Sequence, residues 1–148
     1  LFFLMSRFRQ QTEQLQADLF RPDIVADYHL LKDRIFARLT LSDDELGLYE
    51  RVYQSLETQI LKPDVLVYLH APIDVLLKRI AKRGRPFEAG FDQGYLTTLA
   101  ETYRHFFAHY HEVPVLSVDN AELDYANEEG PLDWIHNQIL QLAGLPAQ

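Results

Sequence analysis

The sequence predicts an α/β fold in which helices cover both faces of a parallel β-sheet. Segments with the apolar spacing of helices alternate along the chain with short, continuous apolar runs. The clearest run, VLVYL at 65–69, lies between Pro63 and Pro72 and is typical of a strand buried on both faces of such a sheet. Because ligands of parallel sheets bind beyond the carboxyl ends of the strands, the residues that follow each run are candidate site residues.

The first half of the chain predicts three helices and one strand. Helical spacing extends from residue 2 to about residue 17, and a short apolar run then predicts a strand at 23–27. Helical spacing returns at 29–39. The S-x-x-E sequence at 42–45 is a capping box, so it predicts the start of a further helix that runs to about residue 60.

The second half predicts two strands and three helices. After the strand at 64–70, a helix begins near Pro72 and ends at Gly84, and a loop punctuated by glycine and proline follows it. The remaining elements are an aromatic-rich helix at 95–111, a strand at 113–119 and a closing helix at 131–142. Proline opens the last of these helices, in the first turn, where this residue is favoured.

Composition limits the class of protein. The chain has 148 residues, 47% of them hydrophobic and 24% charged, which predicts one globular domain. A net charge of −8 argues against general binding to nucleic acid or to anionic membranes. Without cysteine, disulfides and thiolate metal sites are excluded. No uncharged run reaches the eighteen or so apolar residues of a spanning helix, so we expect a cytoplasmic protein.

One stretch, LLKRIAKRGRPFE at 76–88, concentrates positive charge. It contains five of the fourteen Lys and Arg residues of the chain: Lys78, Arg79, Lys82, Arg83 and Arg85. On a helix, Arg79 and Arg83 share a face and repel each other, which predicts that an oxyanion binds there. The alternative is a solvated helix end, where cations are favoured by the helix dipole.

The stretch belongs to a recognisable pattern. KRIAKRGRPFE, with DYHLLKDRIFA and PDVLVYLHAPIDVLLKRI before it, resembles the deoxyribonucleoside kinases, in the bacterial deoxyadenosine/deoxyguanosine kinase branch. The resemblance covers nearly the whole chain. It implies a P-loop kinase-like sheet with strand order 2-3-1-4-5, and ATP-dependent phosphorylation of the 5′-hydroxyl of a deoxyribonucleoside, with purines favoured. It also implies Mg²⁺ as a cofactor and a homodimer.

The resemblance assigns the basic cluster to a lid at about residues 79–92. It implies that Arg79, Arg83 and Arg85 close over ATP and place positive charge on the transferred phosphoryl group. Phosphoryl transfer depends mainly on positioning and on neutralising this charge, so the assignment agrees with the chemistry. Glu88 is expected to accept a hydrogen bond from the sugar 3′-hydroxyl, although a lone loop glutamate is usually solvated.

The resemblance also assigns two sets of residues to binding of the nucleoside. The resemblance implies that Phe36 stacks on the nucleobase; the alternative is an ordinary core phenylalanine. It implies that Arg7 reads the base edge together with Asp33, and the alternative for these two is a surface ion pair.

The strand at 23–27 ends on a carboxylate, but it departs from the family pattern. The family usually has Glu followed by Arg and Ser, whereas this chain has Asp27, Tyr28 and His29. Asp27 is the candidate catalytic carboxylate and Mg²⁺ ligand, and either Arg34 or a lid residue is expected to replace the missing arginine. After the last strand, the resemblance implies that the loop containing Asp119 and Tyr125 frames the adenine of ATP.

The chain contains no G-x-x-x-x-G-K-[ST] loop, which a kinase of this class needs to hold phosphates. We therefore expect it to be the C-terminal part of a longer kinase, without the first strands, the P-loop and the general base. The strands at 23–27 and 64–70 are expected to flank the missing central strand, and the fragment alone to be neither stable nor active. The alternatives are a nucleoside monophosphate kinase of the thymidylate type and a non-catalytic nucleotide-binding or interaction domain.

The aromatic helix offers two further interpretations. His105, His109 and His111 have spacings that can bind metal, but without a clear third ligand we favour a plain helix face. The aromatic side chains cover too much of the helix for one narrow apolar stripe, which indicates that part of this helix meets another subunit.

Overall fold

A computed structural model describes residues 1–17, 24–27, 29–84, 92–121, 123 and 130–146. The chain forms two compact units, which we call the helical unit, Leu1–Lys62, and the sheet unit, Pro63–Gln148. Among the described residues, no helix is both long enough and apolar enough to cross a membrane.

The helical unit contains three described helices: α1, Phe2–Ala17, α2, Leu31–Thr40, and α3, Asp43–Glu57. Its buried side chains are Leu4, Leu30, Leu31, Ile35, Ala37, Tyr49, Tyr53 and Leu56. At the start of α3, the Glu45 carboxylate accepts hydrogen bonds from the backbone N–H and the hydroxyl of Ser42, at 3.0 and 2.9 Å. The predicted capping box is therefore confirmed.

The strand predicted at 23–27 is not formed over the described residues 24–27, which are irregular and exposed. Val25 lies almost entirely in solvent. A strand is held extended by a neighbouring strand, and the two strands described in this chain pair with each other. For the described residues 24–27, the predicted strand is therefore wrong.

The sheet unit is built on two parallel strands, β1, Leu66–His70, and β2, Val115–Asp119. Their register pairs Leu66 with Val115 and His70 with Asp119. The described helices of this unit are α4, Ile73–Arg83, α5, Gln93–Ala108, and α6, Gly130–Leu142. The predicted α/β class with a parallel sheet is confirmed.

The two faces of this sheet are covered unequally. On one face, the Tyr68 ring stacks on Phe107 of α5, with the ring centroids 4.7 Å apart. On the other face, Val118 is buried, whereas Val67 is 39% exposed and Leu69 50% exposed. The helix α6 packs against β2, so this face is better covered at β2 than at β1. The prediction that the 65–69 run is buried on both faces is therefore wrong.

Gly84 and Asp92 define the ends of the two helices on either side of the predicted lid. Gly84 ends α4 in the left-handed conformation, with φ of 62°, and its N–H donates to the Ile80 carbonyl at 3.2 Å. The Asp92 carboxylate begins α5 by accepting from the N–H groups of Gly94 and Tyr95, at 3.2 and 3.3 Å. This cap starts α5 two residues before the predicted position.

Candidate active site

The carboxyl ends of β1 and β2 lie side by side, as predicted for a ligand-binding edge. His70 and Asp119 are register partners there. The pairing continues for one more step, because the Asn120 N–H donates to the His70 carbonyl at 2.7 Å. The Asp119 carboxylate then accepts from the Ala121 N–H at 2.9 Å, which turns the chain directly after the strand.

Arg79 reaches this edge from α4. Its Nη2 donates to the carbonyl oxygen of Asn120 at 2.6 Å and to that of Ala121 at 3.4 Å. The first arginine of the basic cluster is thereby joined to the loop that directly follows Asp119, the last residue of β2 and a predicted adenine-loop residue. These contacts support a role for Arg79 in holding the loop, in addition to the predicted contact with phosphate.

The second arginine, Arg83, is the last residue of α4 and is exposed. It follows Arg79 by four residues, so both lie along one side of the helix. Cations in the last turn interact favourably with the helix dipole, by about 0.3 to 1 kcal/mol, which offsets their mutual repulsion. The dipole accounts for the position of Arg83, in the last turn of α4, but not for that of Arg79, which lies one turn earlier.

Part of the predicted site lies outside the described residues. This holds for Arg85, Glu88 and Tyr125, and for the lid between Gly84 and Asp92. The assignments of these residues to the phosphates, the sugar and the adenine stay predictions.

In the helical unit, α2 carries Asp33 and Phe36, which are three residues apart and half-buried. A half-buried Phe36 is compatible both with stacking and with packing. Arg7 on α1 is half-buried and donates from Nη1 to Gln10 Oε1 at 3.0 Å. The base-reading roles of these residues stay predictions.

Asp27 is described as an exposed residue at a bend. In the described ranges, no group of three or more His, Asp or Glu side chains is arranged to hold a metal ion. Mg²⁺ is usually held by one or two carboxylates together with phosphates and water, so the assignment of Asp27 to Mg²⁺ stays a prediction. At the end of α5, the rings of His105 and His109 are 4.4 Å apart, and His109 Nδ1 lies within hydrogen-bond distance of the His105 carbonyl oxygen, at 2.8 Å. This nitrogen therefore faces the backbone of the helix rather than a shared ligand.

Arg34 has a structural role that the sequence did not predict. Its Nε donates to both carboxylate oxygens of Glu50, at 3.1 and 3.0 Å, and Arg38 reaches the same carboxylate at 3.4 Å. The Arg34 guanidinium lies 4.9 Å from the centre of the Tyr53 ring. Burial acts to lower the pKa of Arg34, and the Glu50 carboxylate outweighs burial, so the pKa is raised overall. Because these contacts join α2 to α3, Arg34 is a poor candidate to replace the missing arginine.

Tyr49 on α3 is a residue that sequence reasoning missed. Its side chain is 4% exposed, and its hydroxyl is buried without a hydrogen-bond partner among the described residues. Asp33 Oδ2 is likewise buried without a hydrogen-bond partner among these residues. No sequence signal distinguishes Tyr49 from a core aromatic residue, because its position on α3 fits the apolar spacing of the helix.

A cavity of about 500 Å³ lies at the opposite edge of the sheet. It is lined by Phe107 and residues 110–115, at the amino end of β2. None of the predicted site residues lines it, so it is not the candidate active site.

Comparisons with known proteins agree on one family. The family model described as deoxynucleoside kinase matches residues 1–143. The chain is 33% identical to deoxyguanosine kinase of Bacillus subtilis strain 168, over 96% of this chain and 71% of that protein. It is 26% identical to deoxyadenosine/deoxycytidine kinase of the same strain, over 94% of this chain and 66% of that protein. The structure of deoxyadenosine kinase from M. mycoides with bound dATP matches with a TM-score of 0.73 and 25% identity, over 92% of this chain and 72% of that chain.

Proposed function

Because the chain belongs to the deoxynucleoside kinase family, we propose that the natural protein transfers the γ-phosphoryl group of ATP to the 5′-hydroxyl of a deoxyribonucleoside, with purines preferred. Family membership supports nucleoside phosphorylation in general. The purine preference is supported by the relative named for deoxyguanosine, whereas the second relative is named for a purine and a pyrimidine nucleoside. The use of ATP is supported by the dATP bound to the M. mycoides enzyme.

The observation that carries this proposal is the contact of Arg79 with the loop after β2. It brings the basic end of α4 to the carboxyl edge of a parallel sheet, where phosphate ligands bind in this class of fold. In the proposed reaction, Arg79 holds this loop, while Arg83 and Arg85 neutralise charge on the transferred phosphoryl group. The guanidinium group suits this task, since it stays protonated and donates hydrogen bonds in a fixed fork.

The helical unit is proposed to bind the nucleoside. Phe36 stacks on the base, Arg7 and Asp33 contact its edge, and Glu88 accepts a hydrogen bond from the 3′-hydroxyl. Stacking on an aromatic side chain contributes about 1 to 3 kcal/mol per base and tolerates any base, whereas the polar pair provides the discrimination.

We also propose a cytoplasmic homodimer. In the helical unit, α1 begins with apolar side chains that remain largely in solvent: Phe2 is 80% exposed and Phe3 72% exposed. Met5, one turn further, is also exposed. A contiguous apolar surface of this kind is typical of a protein interface.

The test of the activity uses the full-length natural protein with ATP. We expect phosphorylation of deoxyguanosine and deoxyadenosine in preference to deoxycytidine and thymidine. Phosphorylation of thymidylate alone would contradict the proposal.

The role of the cluster is tested by Arg83→Ala. We expect kcat to fall by about 10³-fold, since arginines that act on transferred phosphoryl groups contribute at least this much, while the KM for the nucleoside changes little. The matched control is Lys78→Ala, which removes an exposed cation of the same helix that pairs with Asp74 at 3.5 Å. Equal losses in the two variants, or a loss confined to nucleoside affinity, would refute the assignment.

A further inference from the structure

Among the buried polar atoms that lack hydrogen-bond partners within the described part of the helical unit, two are chemically complementary. One is Oδ2 of Asp33, on α2, and the other is the hydroxyl of Tyr49, on α3. The first can only accept a hydrogen bond when ionised, and the second can donate one. Buried polar groups in folded proteins are nearly always paired, so two complementary exceptions in one unit require an explanation.

The structure places these two residues near each other on α2 and α3. Arg34 and Glu50, which directly follow Asp33 and Tyr49 in sequence, form the ion pair that joins α2 to α3. The Tyr49 ring stacks on Tyr53 at 6.2 Å, and Tyr53 lies under the Arg34 guanidinium. Burial raises the pKa of Tyr49, and the negative charge of Asp33 raises it further. The phenol therefore stays protonated and remains a donor.

We propose that Tyr49 is a positioning residue for base recognition, whose hydroxyl donates to Asp33 Oδ2 when the nucleoside binds and so directs the other carboxylate oxygen towards the base edge. The inference rests on the proposed function, because it takes Asp33 as the residue that contacts the base. It adds that the selectivity of Asp33 depends on a second helix.

The physical reason lies in the two oxygens of a carboxylate. A carboxylate on α2 that is held at one oxygen has a defined direction for the other, whereas an unheld carboxylate rotates about χ2 and weakens its contact with the ligand. Without a ligand, neither polar atom has a hydrogen-bond partner in the part of the chain that the structure describes. Pairing them during binding removes both deficits together, so the contact favours the bound state over the free state.

A double-mutant cycle on the full-length protein tests this inference. The variants are Tyr49→Phe, Asp33→Asn and the combination, and the readouts are kcat and KM for the preferred deoxyribonucleoside at saturating ATP. We expect Tyr49→Phe to raise KM about tenfold, which corresponds to the loss of one hydrogen bond to a charged group, with kcat within about twofold of wild type. Since Tyr49 acts through Asp33, the double variant should match Asp33→Asn alone.

The matched control is Tyr53→Phe, which removes the hydroxyl of the neighbouring buried tyrosine. That hydroxyl bonds to Glu57 rather than to Asp33, so KM should stay at the wild-type value. Thermal unfolding separates positioning from packing. We expect Tyr49→Phe to leave the Tm of the free protein unchanged or raised, because an unsatisfied hydroxyl is removed, and to reduce the rise in Tm that the nucleoside causes.

Additive losses in the double variant, or a wild-type KM in Tyr49→Phe, would overturn the inference. A lower Tm of free Tyr49→Phe with an unchanged rise on adding nucleoside would also overturn it, in favour of a packing role. These outcomes are distinct from failure of the proposed function. If the wild-type protein phosphorylates no deoxyribonucleoside, both are refuted, whereas an active wild type with any of the contrary results refutes the role of Tyr49 alone.

Discussion

Replacement of Glu50 by Gln should destabilise the protein through Arg34. Glutamine keeps the size of the side chain and one acceptor, but it leaves a guanidinium that is largely withdrawn from water without a counter-charge. The two side chains are 20% and 21% exposed. Breaking a fully buried pair costs about 3 to 5 kcal/mol and an exposed pair about 0 to 1 kcal/mol, so we expect the free energy of unfolding to fall by about 2 kcal/mol.

The measurement is thermal unfolding of the full-length protein without ligand, followed by far-UV circular dichroism. A loss of about 2 kcal/mol corresponds to a Tm about 4 to 8 °C lower for proteins of about 150 to 250 residues. The control is Glu13→Gln on α1, whose pair with Arg9 has a shorter distance, 2.7 Å, but side chains that are 61% and 81% exposed.

We expect no measurable change in Tm for this control, because water screens exposed pairs. If Glu13→Gln lowered Tm as much as Glu50→Gln, the argument that burial rather than distance sets the strength of these pairs would be refuted. An unchanged Tm in Glu50→Gln would show instead that Arg34 does not need its partner.

Two further predictions concern backbone and assembly. Gly84→Ala should lower the free energy of unfolding by about 1 kcal/mol, because its φ of 62° is unfavourable for alanine. Gly47→Ala should raise it by about 0.5 to 1 kcal/mol, because Gly47 lies inside α3 with free space for a Cβ. Urea unfolding of both variants measures the difference, and equal effects would contradict the prediction. Phe3→Ser should shift the full-length protein from dimer to monomer, as measured by light scattering at micromolar concentration. Thr12→Ser on the same helix is the control. An unchanged mass for Phe3→Ser would exclude the start of α1 as the interface.

The helix boundaries were largely predictable because they depend on residues close together in sequence. The capping box of Ser42 and Glu45 and the stop at Gly84 each involve contacts within about one helical turn. The family was predictable for a related reason. The basic stretch at 76–88 keeps a specific spacing of arginines, and the family resemblance that it supports is confirmed by the match over residues 1–143.

Burial and pairing were less predictable. The continuous run at 65–69 correctly predicted a strand, but nothing in it indicated that Val67 and Leu69 would be exposed. The run near Val25 has similar propensity and forms no strand over the described residues. In both cases the outcome depends on a neighbour far away in sequence.

Local sequence thus specified the order of the elements, most of their ends and the family, since propensities, caps and motif spacings act over a few residues. Which polar groups meet was settled by packing. Arg34 and Glu50 are separated by 16 positions, and Arg79 and Asn120 by 41. Contacts of this range arise only when helices and strands have been brought together, and so the structural role of Arg34 and the loop contact of Arg79 left no trace in the sequence pattern.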